Sequence, residues 1–339
     1  MSTQTALIAA WARSAVVPRG GAFKALQPHD IAAPVLQALL QRAGVPAASV
    51  DAVVLGNALG AGGNPARMLA LHAGLPQRCA ALTVDTQCCA GLDAVAMGAA
   101  LIASGQAHVV VAGGAEAWSR SPMRMDRPMR ADEMPTPYER PAFATTPEQD
   151  PDKLHSAALY AAAHGYSRAE QEAYALQSHA RAVEGQAHMA AEIVAVAGVQ
   201  HDAYPRHMTH ERAARMPVVA SSPSDEASAF RLSALTISAQ ADGAALVLLM
   251  SQQACDKWEV SAAMSLVAQA SVGGAPEVPL AAAELAAHEV LQRAGGLKVS
   301  DVSHVELHDA FAVQGLSFAK GLGLTPEQLN LHGGGLARG

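Results

Sequence analysis

Cys88 and Cys89 stand side by side in "TVDTQCCAGLDAVAMG", residues 83–98, where an apolar stretch gives way to a small-residue helical pattern. A cysteine just after a strand and at the start of a helix meets unpaired backbone N–H groups and the positive end of the helix dipole, and both favour the thiolate. That form is a nucleophile. Cys88 falls at or before the first turn, whereas Cys89 opens the helix proper and is followed by Ala90 and Gly91, which leave the backbone open to a substrate. Cys88 is therefore the candidate nucleophile and Cys89 its small packed neighbour. The competing reading makes both of them buried hydrophobes, since free cysteine is among the most buried residue types.

A second polar pair lies in "ELHDAFAVQG", where an apolar strand ends at Leu307 and sets His308 and Asp309 at its C-terminal edge. Open α/β sheets gather their ligands at that edge; the alternative is a surface His-Asp turn. Five arginines between Arg120 and Arg140 (Arg120, Arg124, Arg127, Arg130, Arg140) leave room for a local anion site or for a solvated or subunit-contacting loop.

The elements that must position these residues alternate between short apolar runs and amphipathic stretches. Residues 5–12 read as a first strand, and a strand ending at Leu55 is followed by a helix over 65–73 and a strand over 81–85. Next come Cys88, a helix to Ser104, the strand "HVVVAGG" to Gly114, and much later the buried strand "DGAALVLLMS" over 242–251. The helix "SRAEQEAYALQSHARAVEGQAH" is opened by Ser167 with an acidic first turn. These elements give an α/β class.

The chain has 339 residues, half of them apolar, enough for one large or two medium domains. A net charge of −7 argues against a polyanion-binding surface, so no nucleic-acid partner is expected. Four cysteines without CxxC or framework spacing fit reduced thiols in the cytoplasm. No apolar run reaches the ~18 residues of a membrane span, and the N-terminus has no basic lead-in to a signal sequence. No metal site is expected.

Two distant segments resemble each other: "LLQRAGVPAASVDAVVLGNAL" from Leu39 and "VLQRAGGLKVSDVSHVELHDAF" from Val290, each a helix, a turn and an apolar strand. A period of about 250 residues is too long for a solenoid and suggests a duplicated α/β domain. Residues 1–114 plus 233–256 then form an N-terminal half, 115–232 an inserted loop domain, and 257–339 a C-terminal half with a strand "SLVAQASV" and a helix over 280–294. That half is incomplete: "LNLHGGGLARG" occupies the place held by "ALTVDTQCCAG" in the first copy.

At these residues the chain resembles the thiolase superfamily. "VDTQCCAGLDAV" is similar to the family's nucleophile motif, and "HDAFAVQG" to its Asn-Glu-Ala-Phe motif. The segments 56–76, 113–122, 167–182 and 241–251 follow in thiolase order. The resemblance covers essentially the whole chain and implies a five-layer αβαβα core of two like halves with an inserted loop domain, assembled as a homodimer or homotetramer. It also implies a chemistry in which Cys88 takes the acyl group of an acyl-CoA, and Claisen condensation or the reverse cleavage follows. Coenzyme A enters as substrate and no cofactor is bound tightly. His308, standing where the family motif has Asn, would orient an oxyanion-hole water, and the Cys88 N–H would serve the other hole. Ser238 matches the serine of the family's substrate-contacting loop, with Ala310 and Phe311 of the second motif as further substrate contacts.

The chain departs from the family at its end. "GGGLARG" is similar to the lead-in to a Gly-His-Pro motif whose histidine activates the nucleophile, and a later Cys-Gly-Gly motif does not follow. The expectation is a natural chain that continues past Gly339. A chain ending there would instead be a thiolase-fold protein that binds acyl-CoA or a partner subunit without turnover. A carrier-protein-dependent condensing enzyme is a more distant alternative.

Overall fold

Continuous apolar runs such as "AVVLG" and "VVVAGG" bury on both faces, as strands at the centre of a covered sheet do. The computed structural model describes residues 5–60, 62–224 and 229–339; Ala61, inside the thiolase-like segment 56–76, lies outside them. Its main strands are β1 (Leu7–Ser14), β2 (Ala52–Gly56), β3 (Ala80–Val84), β4 (Val109–Ala117) and β5 (Ala241–Met250). They run in the order β1-β5-β4-β2-β3. β2 is parallel to both β3 and β4, whereas β5 is antiparallel to β4 and β1.

Side chains alternate across a strand, so each face of β2 serves a different helix layer. Val53 and Leu55 pack with α1 (Pro28–Ala43) and α2 (Pro65–His72), where Ile31, Leu36, Leu39 and Leu69 are fully buried. Ala52 and Val54 face α3 (Ala90–Ala103) through Ala94 and Ile102. α3 is built from small residues and comes very close to the sheet at its N-terminus. A Cβ on Gly56 would stand 2.4 Å from the Ala90 carbonyl carbon, so only glycine lets the start of α3 rest on the end of β2.

The described part of residues 118–240 carries short pairings, two long helices and two four-residue ones, Gln186–Met189 and His210–Ala213. α4 (Lys153–His164) is capped by Asp152, whose carboxylate accepts from the N–H groups of Leu154 and His155. α5 (Arg168–Glu184) starts at Ser167 with a capping box closed by Glu170, as its sequence indicated.

The second copy of the repeat folds only in part. α6 (Ala282–Arg293) ends, like α1, at a left-handed glycine, Gly295 against Gly44, and each leads into a 3-10 turn, Val299–Asp301 against Ala47–Ser49. The strands expected next do not follow. Of "SLVAQASV" only Ser265 is in a strand, Met264–Ser265, and it pairs antiparallel with β1 in the first sheet. The segment ending at Leu307 makes a single parallel bridge, Val305 to Leu329. A strand needs neighbours for its N–H and C=O groups, and the described residues offer this segment only that bridge. α7 (Ala312–Gly321) follows and packs on α4 and α5.

Candidate active site

β3 delivers the candidate nucleophile, Cys88. Past Val84 the chain turns sharply: Gln87 adopts φ 57°, a left-handed conformation that strains any residue with a side chain. Asp85 helps to hold it, since its Oδ1 accepts from both the backbone N and the Nε2 of Gln87, each at 2.9 Å. Thr86 Oγ1 donates to Asp93 Oδ2 at 2.6 Å and ties the turn to the first turn of α3. Cys88 and Cys89 lie in the 3-10 turn Gln87–Cys89 that leads into that helix, and both are exposed. The alternative in which both are buried hydrophobes is excluded.

The His308 imidazole beside Cys88 holds the thiol below its ordinary pKa against the opposing effect of desolvation, with the charge of Lys153 adding to it. Cys88 in turn raises the His308 imidazole, again against desolvation. Both shifts run in the direction of a thiolate–imidazolium pair. Cys89 behaves in the opposite way, its thiol pushed up by burial and by the charges of Cys88 and Asp93. The adjacent thiols are thus unequal, but Cys89, expected to be a packed neighbour, is exposed because the turn presents both side chains at the surface.

His308 lies on irregular backbone, not at the edge of a sheet, and its neighbour holds it there. Asp309 is fully buried and accepts from the Tyr174 hydroxyl at 3.0 Å, Asn330 Nδ2 at 3.1 Å and the Leu336 N–H at 3.3 Å. Burial pushes its carboxyl up, and these donors offset part of that effect. The glycine run serves this anchor: a Cβ on Gly334 would lie 2.5 Å from Asp309 Oδ1 and 2.2 Å from Asn330 Nδ2.

Ser238, Ala310 and Phe311 come together through backbone pairing. Ser238 N donates to the Ala310 carbonyl at 2.9 Å, Ile237 bridges Phe311, and Ala312 N donates to the Thr236 carbonyl at 2.9 Å. Ser238 is half-buried beside the His308 segment, and Phe311 packs in a cluster with Ala157, Ala158 and Val313.

Three of the five clustered arginines are engaged elsewhere: Arg124 with the Leu59 carbonyl, Arg130 with Asp132, and Arg140 with Asp150. These heads, two of them paired with carboxylates, are directed to separate partners and not to one anion site. Sequence reasoning did not single out Lys153, whose charge adds to the lowering of the Cys88 thiol. Among the described residues no group of three or more His, Cys, Asp or Glu could hold a metal ion, and no helix is long and apolar enough to cross a membrane.

The family model described as thiolase, N-terminal domain, matches residues 6–253, and that described as thiolase, C-terminal domain, matches residues 260–339. An acetyl-CoA acetyltransferase of Shinella zoogloeoides is 34% identical over 365 aligned residues, covering 100% of this chain and 88% of that protein. One from Rhizobium meliloti is 32% identical with the same coverage. The crystal structure of the Bacillus anthracis acetyl-CoA acetyltransferase superposes with a TM-score of 0.88 at 27% identity, covering 100% of this chain and 88% of that one. Family matches that span nearly every residue, 6–253 and 260–339, have one reading: the chain belongs to the thiolase family.

Proposed function

We propose that this chain is a coenzyme A-dependent acyltransferase, a thiolase, in which Cys88 carries the acyl group and His308 handles its proton. The observation that carries this is the placement of Cys88 in the exposed turn at the head of α3, with its thiol lowered and the His308 imidazole raised, each chiefly by the other. A thiolate at neutral pH attacks the thioester carbonyl carbon, the new carbon–sulfur bond replaces that to coenzyme A, and the departing sulfur takes the proton His308 holds. Covalent storage of the acyl group splits one difficult exchange into two easier ones. Transfer to a second thioester's α-carbon forms a 3-ketoacyl-CoA, and the reverse cleaves one. The histidine thus acts directly on the thiol, beyond the water-orienting part suggested by family resemblance. Ser238, Ala310 and Phe311, side by side next to His308, serve as the substrate-contacting strip, which their backbone pairing supports.

We also read the chain as two halves, 1–114 plus 233–256 and 257–339, around the insertion 115–232, which the matched turns after Gly44 and Gly295 support. A homo-oligomer fits the surface around β3, the sheet's edge strand, where Leu82 is 38% and Leu92 of neighbouring α3 is 80% exposed. Light scattering on the purified chain tests that. The four free thiols suit the reducing cytoplasm. Intact-mass spectrometry before and after brief incubation with acetyl-CoA and acetoacetyl-CoA tests the chemistry. An acetyl adduct mapping to Cys88 is expected, and the absence of any adduct overturns the proposal.

A further inference from the structure

We propose that Asn330 is the positioning residue for His308: its side chain stands in for a neighbouring strand along residues 305–309 and so fixes where the imidazole is held. This rests on the acyl-transfer reading of Cys88 and His308 and names what sets their geometry. Among the described residues the segment carrying His308 has no ladder beyond the Val305–Leu329 bridge, yet its N–H and C=O groups still need partners. Asn330, 3% exposed, supplies them. Its Oδ1 accepts from the Leu307 N–H at 2.7 Å, and its Nδ2 donates to the Leu307 carbonyl at 3.0 Å and to Asp309 Oδ2 at 3.1 Å. Its own backbone N–H donates to the Val305 carbonyl at 3.0 Å. A carboxamide carries donor and acceptor side by side, as a peptide group does, so the exchange with Leu307 copies the two-bond pairing of an antiparallel ladder.

The position asks for asparagine twice over. An ionised aspartate has no donor for Leu307 and Asp309, and the backbone at residue 330 is left-handed, φ 49°, which glycine and asparagine tolerate best. α5 fixes residue 330 in turn. Tyr174, Ser178 and Arg181 are spaced to share one face of that helix. The Tyr174 hydroxyl donates to Asp309 Oδ2 at 3.0 Å, Ser178 Oγ accepts from the Gly334 N–H at 3.0 Å, and Arg181 donates to the carbonyls of Glu327 at 2.9 Å and Leu329 at 2.7 Å. The Gly333 N–H donates to the Asn330 carbonyl at 2.8 Å and closes a turn that lays Gly335 against the imidazole, where an added Cβ would stand 3.3 Å from His308 Nδ1. Asn330 thus holds the peptide before His308 and begins the turn that bounds its ring. Hydrogen bonding and proton transfer between an imidazole and a thiol weaken steeply with distance and angle, so slack in this segment is felt at Cys88 through His308.

Asn330→Gly tests this, because glycine keeps the left-handed backbone and its N–H to Val305 while removing the three side-chain bonds. Iodoacetamide alkylation of Cys88, mapped by mass spectrometry, should slow by about fivefold at pH 6.5 and change little at pH 9.5, where the thiol is ionised in any case. With acetyl-CoA the saturating rate of Cys88 acylation should fall by about tenfold or more, with the half-saturating concentration within about threefold of the wild type. In a His308→Ala background the same substitution should add less than about twofold to either loss, as expected of a residue that acts through another. An alkylation profile that stays in place in folded Asn330→Gly, or a loss that persists in full without His308, overturns the proposal. Asn330→Asp, near-isosteric and stripped of both donated bonds, is judged by the same two criteria and keeps the test decisive if the glycine variant does not fold. An unreactive wild-type chain with acetyl-CoA removes the acyl-transfer reading, whereas the alkylation arms use no thioester and decide the placement of His308 separately.

Discussion

The stretch through β2 to Asn57 and its repeat counterpart through Val305 to Asp309 have like patterns and unlike fates. In the first copy Val53, Val54 and Leu55 are fully buried between β3 and β4, and Asn57 just beyond donates to the Ala115 carbonyl and to Glu116. In the second copy His304 and Glu306 are exposed, one bridge replaces the ladder, and Asp309 is held by Tyr174, Asn330 and Leu336. Each edge ends in a buried, satisfied polar side chain. What differs is the source of rigidity: sheet packing holds the nucleophile's side, whereas a polar latch reaching from α5 to residues 330–336 holds the histidine's side.

The largest effect belongs to the sheet-held side. Cys88→Ala should abolish covalent acylation, a loss of about 10³-fold or more, because the only other thiol in that turn is pushed away from the thiolate. Cys89→Ala should retain most labelling, its thiol being the one pushed up. Peptide mapping after acetyl-CoA treatment decides; an adduct that survives in Cys88→Ala would sink the assignment.

The latch comes next. Asp309→Ala strips three donors of their acceptor in a buried setting, and each unsatisfied donor costs about 1–3 kcal/mol before relaxation. We expect a net loss of about 3 kcal/mol in urea unfolding, against about 1–2 kcal/mol for Asn57→Ala, whose neighbourhood keeps its sheet. Equal losses would mean that the two edges are held alike after all.

A smaller effect separates the members of the pair. His308 is the first cause of the lowered Cys88 thiol, so His308→Ala should move its titration upward, toward the ordinary value of about 8.5. Alkylation of Cys88 by iodoacetamide at pH 6.5 should then slow by about tenfold, while the rate at pH 9.5 changes little. A profile that stays in place would assign the thiolate to the start of α3 alone.

The same comparison explains what could be read from the sequence. The strands of the first sheet, the cap at Ser167 and the turn that carries the cysteine pair are local, set by periodicity, side-chain type and place in the chain. The strand "SLVAQASV" carries the right composition, but a strand exists only where neighbours accept its hydrogen bonds, and no local pattern reports a neighbour. The contact of His308 with Cys88 could be anticipated only as two edges facing each other. Tyr174, Asn330 and Lys153 reach the site from distant positions, through packing that spacing along the chain does not encode.

The smallest expected effect lies on α5, the helix that supplies Tyr174 to the latch and whose Ser178 Oγ accepts from the Gly334 N–H. His179 beside it is 1% exposed, its two ring nitrogens have no hydrogen-bond partner, and its ring lies 5.5 Å from that of Tyr204. Burial, with the charge of Arg206 adding to it, lowers its pKa to about 4. The unfolded chain titrates this group near the ordinary histidine value of about 6.5, so between those values the unfolded state binds the extra proton and stability falls as pH falls. From pH 7 to pH 6 this group alone should cost about 1 kcal/mol, rising to about 2 kcal/mol at pH 5 and levelling off below about 4. His179→Leu should remove that slope, making its urea midpoint less sensitive to pH over this range than that of the wild type. If both midpoints respond alike, α5 does not sense acid through His179, and the latch on Asp309 draws its pH response from Asp309 itself.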